Sequence, residues 1–172
     1  MPKVQIPKID KYSDHIFIIL HFPVYEKQDK DNENDAPRSS QLAIFAGINF
    51  LVTVHNEDLD IISEIFELCK SNDKEREILM GNSPGFLLHH IIDALVDGFM
   101  RSIITVENRL DELEEFIFNS GRKRPKAKMI NFLRREVTIL RRIALSLRST
   151  VLKLTTDIHR FPRMTLRPIT MT

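Results

Sequence analysis

Residues 85 to 100 read GFLLHHIIDALVDGFM. Asp93 and Asp97 stand four apart in a segment that is otherwise apolar, with His89 and His90 three to eight residues upstream. On a helix, positions four apart share a face, so this is a spacing at which side chains can hold a metal ion. Carboxylate oxygens suit hard ions such as Mg²⁺, whereas imidazole favours zinc or nickel. One helix offers two or three ligands at most, so a complete site needs groups from elsewhere. The plainer reading is a set of exposed side chains in which His89 and Asp93 form an i,i+4 pair. Spacing alone favours the plainer reading.

Other polar clusters have simpler uses. The run ENRLDELEE places Glu107, Asp111, Glu112, Glu114 and Glu115 on outer helix faces, and a later segment carries Arg134, Arg135, Arg141, Arg142, Arg148 and Lys153. Complementary pairing across a helical hairpin is the expected arrangement. Phosphate binding to RNA or DNA is the weaker alternative, because no aromatic interleaving or base-reading module accompanies the arginines. The string GRKRPKAK, residues 121 to 128, fits a solvated turn better than a lipid or nucleic-acid contact. No phosphate-cradling glycine loop, HExxH or GxSxG is present. Ser146 and Ser149 have no histidine near them in sequence, and His55 reads as a capping or packing residue. The expectation is a protein that is not an enzyme.

The elements that must position Asp93 follow from periodicity. HIFIILHFPVYE (15 to 26) reads as a strand, residues 26 to 40 as a long polar loop, and QLAIFAG and NFLVTVHN as two further strands meeting at Gly47. The expected strands are 15 to 25, 41 to 47 and 49 to 55. Asn56 is the expected cap of a helix over 57 to 70, and a second helix over 73 to 80 stops at Gly81 in a left-handed conformation. Ser83-Pro84 opens a third helix. Its seam runs through Leu88, Ile92, Leu95, Phe99, Ile103, Val106, Leu110, Leu113 and Ile117, a rod of roughly 50 Å. After the break at Gly121 and Pro125 the partner helix shows Leu133, Val137, Leu140, Ala144, Leu147, Val151 and Leu154. Two such seams predict an antiparallel coiled-coil-like hairpin over 83 to 158, followed by an irregular connection over 159 to 172. The fold class is α+β: a small antiparallel or mixed sheet flanked by helices, then the hairpin. A hairpin this long cannot bury its seam on three strands, so its far end is expected to meet another chain or another segment.

Bulk properties agree with a folded domain. The 172 residues hold 25 basic and 24 acidic side chains, for a formal charge of +1, so global charge does not point to nucleic acid. Cys69 is the only cysteine, which excludes an intrachain disulfide. The start MPKVQIPKIDKY has no apolar stretch of a signal peptide after it. No apolar run approaches the roughly 18 residues of a spanning helix.

The strings PKVQIPKIDKYSDHIFIILHFPVY, NFLVTVHNE, LLHHIIDALVD, ENRLDELEEFIF and LRRIALSLRSTVLKL, in that order, resemble the cytoplasmic domain of the CorA family of divalent-cation transporters. The resemblance covers nearly the whole chain. It implies a homopentamer with a funnel-shaped cytoplasmic part, a stalk helix and two C-terminal membrane spans joined by a loop with a Gly-Met-Asn signature. None of the stalk, spans or signature is in these 172 residues, so the resemblance implies a regulatory domain of a longer protein in the cell membrane. It also implies a role for Asp93, the first aspartate of IIDALVD: binding Mg²⁺ between subunits, through water, together with an upstream acidic pair and a stalk aspartate that this chain lacks. Asp97 follows as an outer-shell neighbour, and weak or no binding is expected of this chain alone. The implied cargo is Mg²⁺, with Co²⁺ or Ni²⁺ as further ions. The family's zinc-transporting branch and, outside the family, a soluble helical-hairpin adaptor are the alternatives.

Overall fold

The computed structural model describes residues 6–25, 37–119 and 127–158. Four strands, β1 (Lys8–Lys11), β2 (His15–Val24), β3 (Arg38–Gly47) and β4 (Leu51–His55), form one antiparallel sheet in the order β1-β2-β3-β4. β2 and β3 pair over their full lengths, from His15 opposite Gly47 to Val24 opposite Arg38. Strand side chains alternate between faces, so Ile16, Ile18, Leu20 and Phe22 of β2 join Leu42, Ile44 and Ala46 of β3 on the face that packs against the helices. On the other face Phe17 and Phe45 meet with ring centroids 4.5 Å apart, and Tyr12 stacks on His15 at 4.6 Å.

The expected α+β class holds, with local differences. The polar KIDK of β1 has no apolar alternation to announce it, and its pairing with Ile16 to Ile19 makes it a strand. β3 starts at Arg38, three residues before the apolar pattern does. The remainder of the expected polar loop, residues 26 to 36, lies outside the described residues, as do the hairpin tip at 120 to 126 and the connection at 159 to 172.

Four helices follow: α1 (Asp60–Ser71), α2 (Asp73–Met80), α3 (Pro84–Asn119) and α4 (Ala127–Ile158). Asn56 does not cap α1. Its carbonyl instead accepts from the Leu59 amide in a turn, and α1 begins only after Leu59 has entered the core. Asn72 separates α1 from α2 and accepts the Lys74 and Glu75 amides at 3.1 and 3.3 Å, a true cap. Gly81 closes α2 with φ −74° and ψ −11°, right-handed rather than left-handed, because its amide simply continues the helical pattern to the Glu77 carbonyl.

α3 and α4 run antiparallel. Leu88, Ile91 and Leu95 share a core with Leu147 and Leu154, while Phe99 and Val106 pack with Leu140 and Ile143 farther along. Burying each such leucine stabilises the fold by about 1.5–3 kcal/mol. The seam is rotated relative to its sequence reading. On α4 the buried row is Leu133, Glu136, Leu140, Ile143, Leu147, Thr150 and Leu154, while Val137 is exposed. On α3, Ile91 and Ser102 are buried, whereas Leu110 and Ile117 are exposed. Residues on the Glu136 side are covered by the sheet side of the molecule, where Tyr25 just after β2 faces Glu136 and Ser102. Packing against a third layer thus chooses between two rows that periodicity cannot separate.

Candidate functional site

Ser83 and Pro84 set the start of α3. The Ser83 hydroxyl accepts the Phe86 amide at 3.2 Å, and Pro84 takes the first position, where no amide is needed. α1 lies against α3 at Gly98, where a Cβ would come within 2.7 Å of Ile61 Cδ1. With Leu88, Ile91, Leu95 and Phe99 turned inward, α3 presents His89, Asp93 and Asp97 to solvent on its opposite side, and Met100 and Ile104 extend the same stripe.

Asp93 and Asp97 therefore stand side by side, one turn apart, as spacing requires. Among the described residues neither makes a salt bridge or side-chain hydrogen bond, and the His89–Asp93 pair is not formed. His90 is half-buried. No three His, Cys, Asp or Glu side chains among the described residues converge as a metal-binding group. This chain thus offers two hard oxygen donors on an open helix face. That donor set fits a hydrated Mg²⁺ ion held partly through water, with the remaining ligands drawn from outside the face.

A second polar cluster was not foreseen. Glu136 is fully buried and accepts two bonds from Arg109 Nη1, at 2.8 and 2.9 Å. The guanidinium also lies over the Phe132 ring, 5.5 Å from its centroid. The Tyr25 hydroxyl is shut off from solvent and faces Glu136 and Ser102. Burial, followed by the Glu136 carboxylate, holds this phenol well above its usual range. A signal was available: Arg109 is the only base within ENRLDELEE, and Glu136 the only acid between 127 and 154.

The expected pairing of an acidic α3 with a basic α4 is not found. The one ion pair between the helices among the described residues joins the odd base of α3 to the odd acid of α4. The remaining acids of ENRLDELEE and the arginines of α4 are exposed and form no ion pair with one another among the described residues. Ser146 is half-buried and donates to the Ile143 carbonyl, and His55 Nδ1 donates to the Asn56 carbonyl, so both act locally. A groove between β4 and α1 is lined largely by apolar groups, among them Leu51, Ile62, Phe66, Met80 and Leu87. Its titratable residues, His55 and Glu67, form no nucleophile–base pair.

The fold is thus a sheet that delivers its apolar face to a long antiparallel hairpin, with an open carboxylate pair on the hairpin's first helix. The family model described as CorA-like Mg²⁺ transporter protein matches residues 2–169, and the chain belongs to that family. It is 30% identical over 158 residues to the putative metal ion transporter YfjQ of Bacillus subtilis, covering 91% of this chain and 43% of that protein. It is 26% identical over 111 residues to the cobalt/magnesium transport protein CorA of Methanocaldococcus jannaschii, covering 64% and 32%. The chain thus spans less than half the length of these relatives. Among solved structures, the full-length CmaX protein superposes with a TM-score of 0.70 at 17% identity, covering 94% of this chain and 49% of that one. The soluble domain of the M. jannaschii CorA gives 0.54 at 17%, covering 86% and 72%. Among the described residues no helix is long and apolar enough to cross a membrane.

Proposed function

We propose that this chain is the cytoplasmic metal-sensing domain of a CorA-like channel for Mg²⁺, with Co²⁺ and Ni²⁺ as further cargo. The single observation that carries the reading is the family match over residues 2–169, within which Asp93 is the first aspartate of the IIDALVD stretch and stands open on α3. Asp93 holds Mg²⁺ through water at a boundary between neighbouring copies, and Asp97, one turn on, orients the outer water shell. Five copies surround the pore, and spans beyond this segment anchor them in the cell membrane. The domain works by linkage rather than catalysis. Ions bound between copies stabilise the closed assembly by their differential affinity for it, and their loss releases the copies to move. The name of the M. jannaschii relative and the family's description favour magnesium and cobalt over zinc as cargo.

A single copy supplies too few ligands for a tight site, so titration of the 172-residue chain with Mg²⁺ should give weak or no binding. Asp93→Ala should abolish whatever binding there is, and Asp97→Asn should weaken it less. Tight Mg²⁺ binding that survives Asp93→Ala would rule out the assignment.

A further inference from the structure

α4 repeats a short pattern at seven-residue steps: Leu-Arg-Arg at 133 to 135 and again at 140 to 142, then Leu-Arg-Ser at 147 to 149. Leu133, Leu140 and Leu147 are all buried, which turns the two residues after each of them outward. At about 100° per residue, Arg134 and Arg135 stand roughly 50° to either side of the line through Asn131 and Thr138. Arg141 and Arg142 flank the line from Thr138 to Leu145 in the same way. The two doublets are one repeat apart, a rise of about 10.5 Å. They form a double row of guanidiniums with two full rungs, and the third rung lapses to Arg148 and Ser149.

Among the described residues nothing on this face answers that charge: all four arginines are exposed, and none forms an ion pair. The only acid between 127 and 154, Glu136, is buried and held by Arg109. A shallow cavity of about 370 Å³ lies beside Arg134 and Arg135, with Asn131, Thr138 and Ile139 as its other walls. Thr138 donates its hydroxyl proton to the Arg134 carbonyl at 2.7 Å, so it lines the floor without donating outward. The Asn131 amide makes no side-chain hydrogen bond among the described residues and can donate to a ligand. The charged groups are therefore all donors, and Ile139 adds an apolar wall.

We propose that this face binds a short polyphosphate anion of the nucleoside triphosphate kind. A guanidinium presents paired N–H donors that match two oxygens of one phosphate, so a doublet at each end can close on a chain of linked phosphates. Two rungs suit a short anion. A long nucleic acid would draw on a ladder that continues and on aromatic side chains for its bases. The one aromatic ring of α4, Phe132, is instead half-buried beneath Arg109. An anionic bilayer would need a broad apolar stripe among the bases, and between the doublets stands Thr138. With the phosphates held between the doublets, the nucleoside has the Ile139 wall to lie against. This inference uses α4 alone and does not rest on the transport reading.

Titration of the full chain with ATP, in the absence of Mg²⁺, tests it by two readouts. In NMR spectra of the wild type, the backbone amides of Asn131, Arg135, Thr138 and Ile139 should shift and saturate with one ATP per chain. By calorimetry, R134Q/R135Q and R141Q/R142Q should each weaken ATP binding at least about tenfold, because each removes two charge-assisted contacts to phosphate. R148Q/K153Q, beyond the second rung, should change it less than about twofold. Inorganic triphosphate should compete with ATP. AMP and inorganic phosphate reach only one rung and should bind at least about tenfold more weakly. Shifts that stay unsaturated in the millimolar range, or full ATP affinity in either doublet variant, would overturn the proposal. So would phosphatidylglycerol vesicles or single-stranded DNA that bind through the same arginines more tightly than ATP, since the face would then serve a larger polyanion.

Discussion

Glu136 and Arg109 form a buried ion pair on which the hairpin depends. A carboxylate with no exposure needs its cation, and removing only Arg109 strands the charge. Arg109→Met should therefore cost about 3–5 kcal/mol in urea unfolding, and adding Glu136→Leu should recover most of that loss. Tyr25 links the same cluster to pH. Its folded-state pKa is raised by burial and by Glu136, so the neutral phenol contributes stability that is fully present below about pH 10 and is lost as pH rises beyond it. Melting temperatures between pH 9 and 12 should fall less steeply in Tyr25→Phe than in the wild type; equal slopes would dismiss the coupling. The sequence displayed this cluster only as two odd charges in runs of the opposite sign. Spacing did put Asp93 and Asp97 on one face, and the face is open as expected of an exposed pair. Spacing cannot separate an exposed pair from part of a metal site, because ligands from other segments or copies leave no trace in the local pattern.

Among the elements, those with strong local chemistry were legible. Ser83-Pro84 reads directly as a helix start because both residues act on amides within three positions of themselves. Ser83→Ala should lower stability by about 1 kcal/mol, and Asn72→Ala by a similar amount, measured by the same unfolding assay. The long seams were legible as helices but not as faces. Val137 and Glu136 are adjacent, and an apolar count chooses Val137, yet the structure buries Glu136 because Arg109 and Tyr25 satisfy it and the sheet side covers it. The same choice buries Ile91 fully and Ile92, packed at the core's edge, only in part. Leu95→Ala, at a position both readings bury, should cost about 2–5 kcal/mol, whereas Leu110→Ala at an exposed position should change monomer stability little. Asn56 failed as a cap for a related reason: the turn to Leu59 delivers an apolar side chain to the core, and that burial outweighs a local hydrogen bond.

At the scale of the whole molecule, the hairpin leaves large apolar side chains open to solvent, Leu110, Ile117, Ile130 and Val137 among them. Among the described residues no third metal-binding side chain joins the carboxylates of the Asp93 stripe. Membership of the CorA-like Mg²⁺ transporter family supports the proposal that ions link copies of this domain. The most direct measurement of this account is Mg²⁺ uptake by the product of the gene read past the codon for Thr172, in cells lacking other Mg²⁺ transporters. The account predicts two apolar stretches of about 20 residues in that product, with Gly-Met-Asn between them. It predicts uptake that closes as internal Mg²⁺ rises, and closure that needs distinctly more Mg²⁺ in Asp93→Ala. A product that carries no Mg²⁺, or whose uptake ignores both internal Mg²⁺ and Asp93, would contradict it.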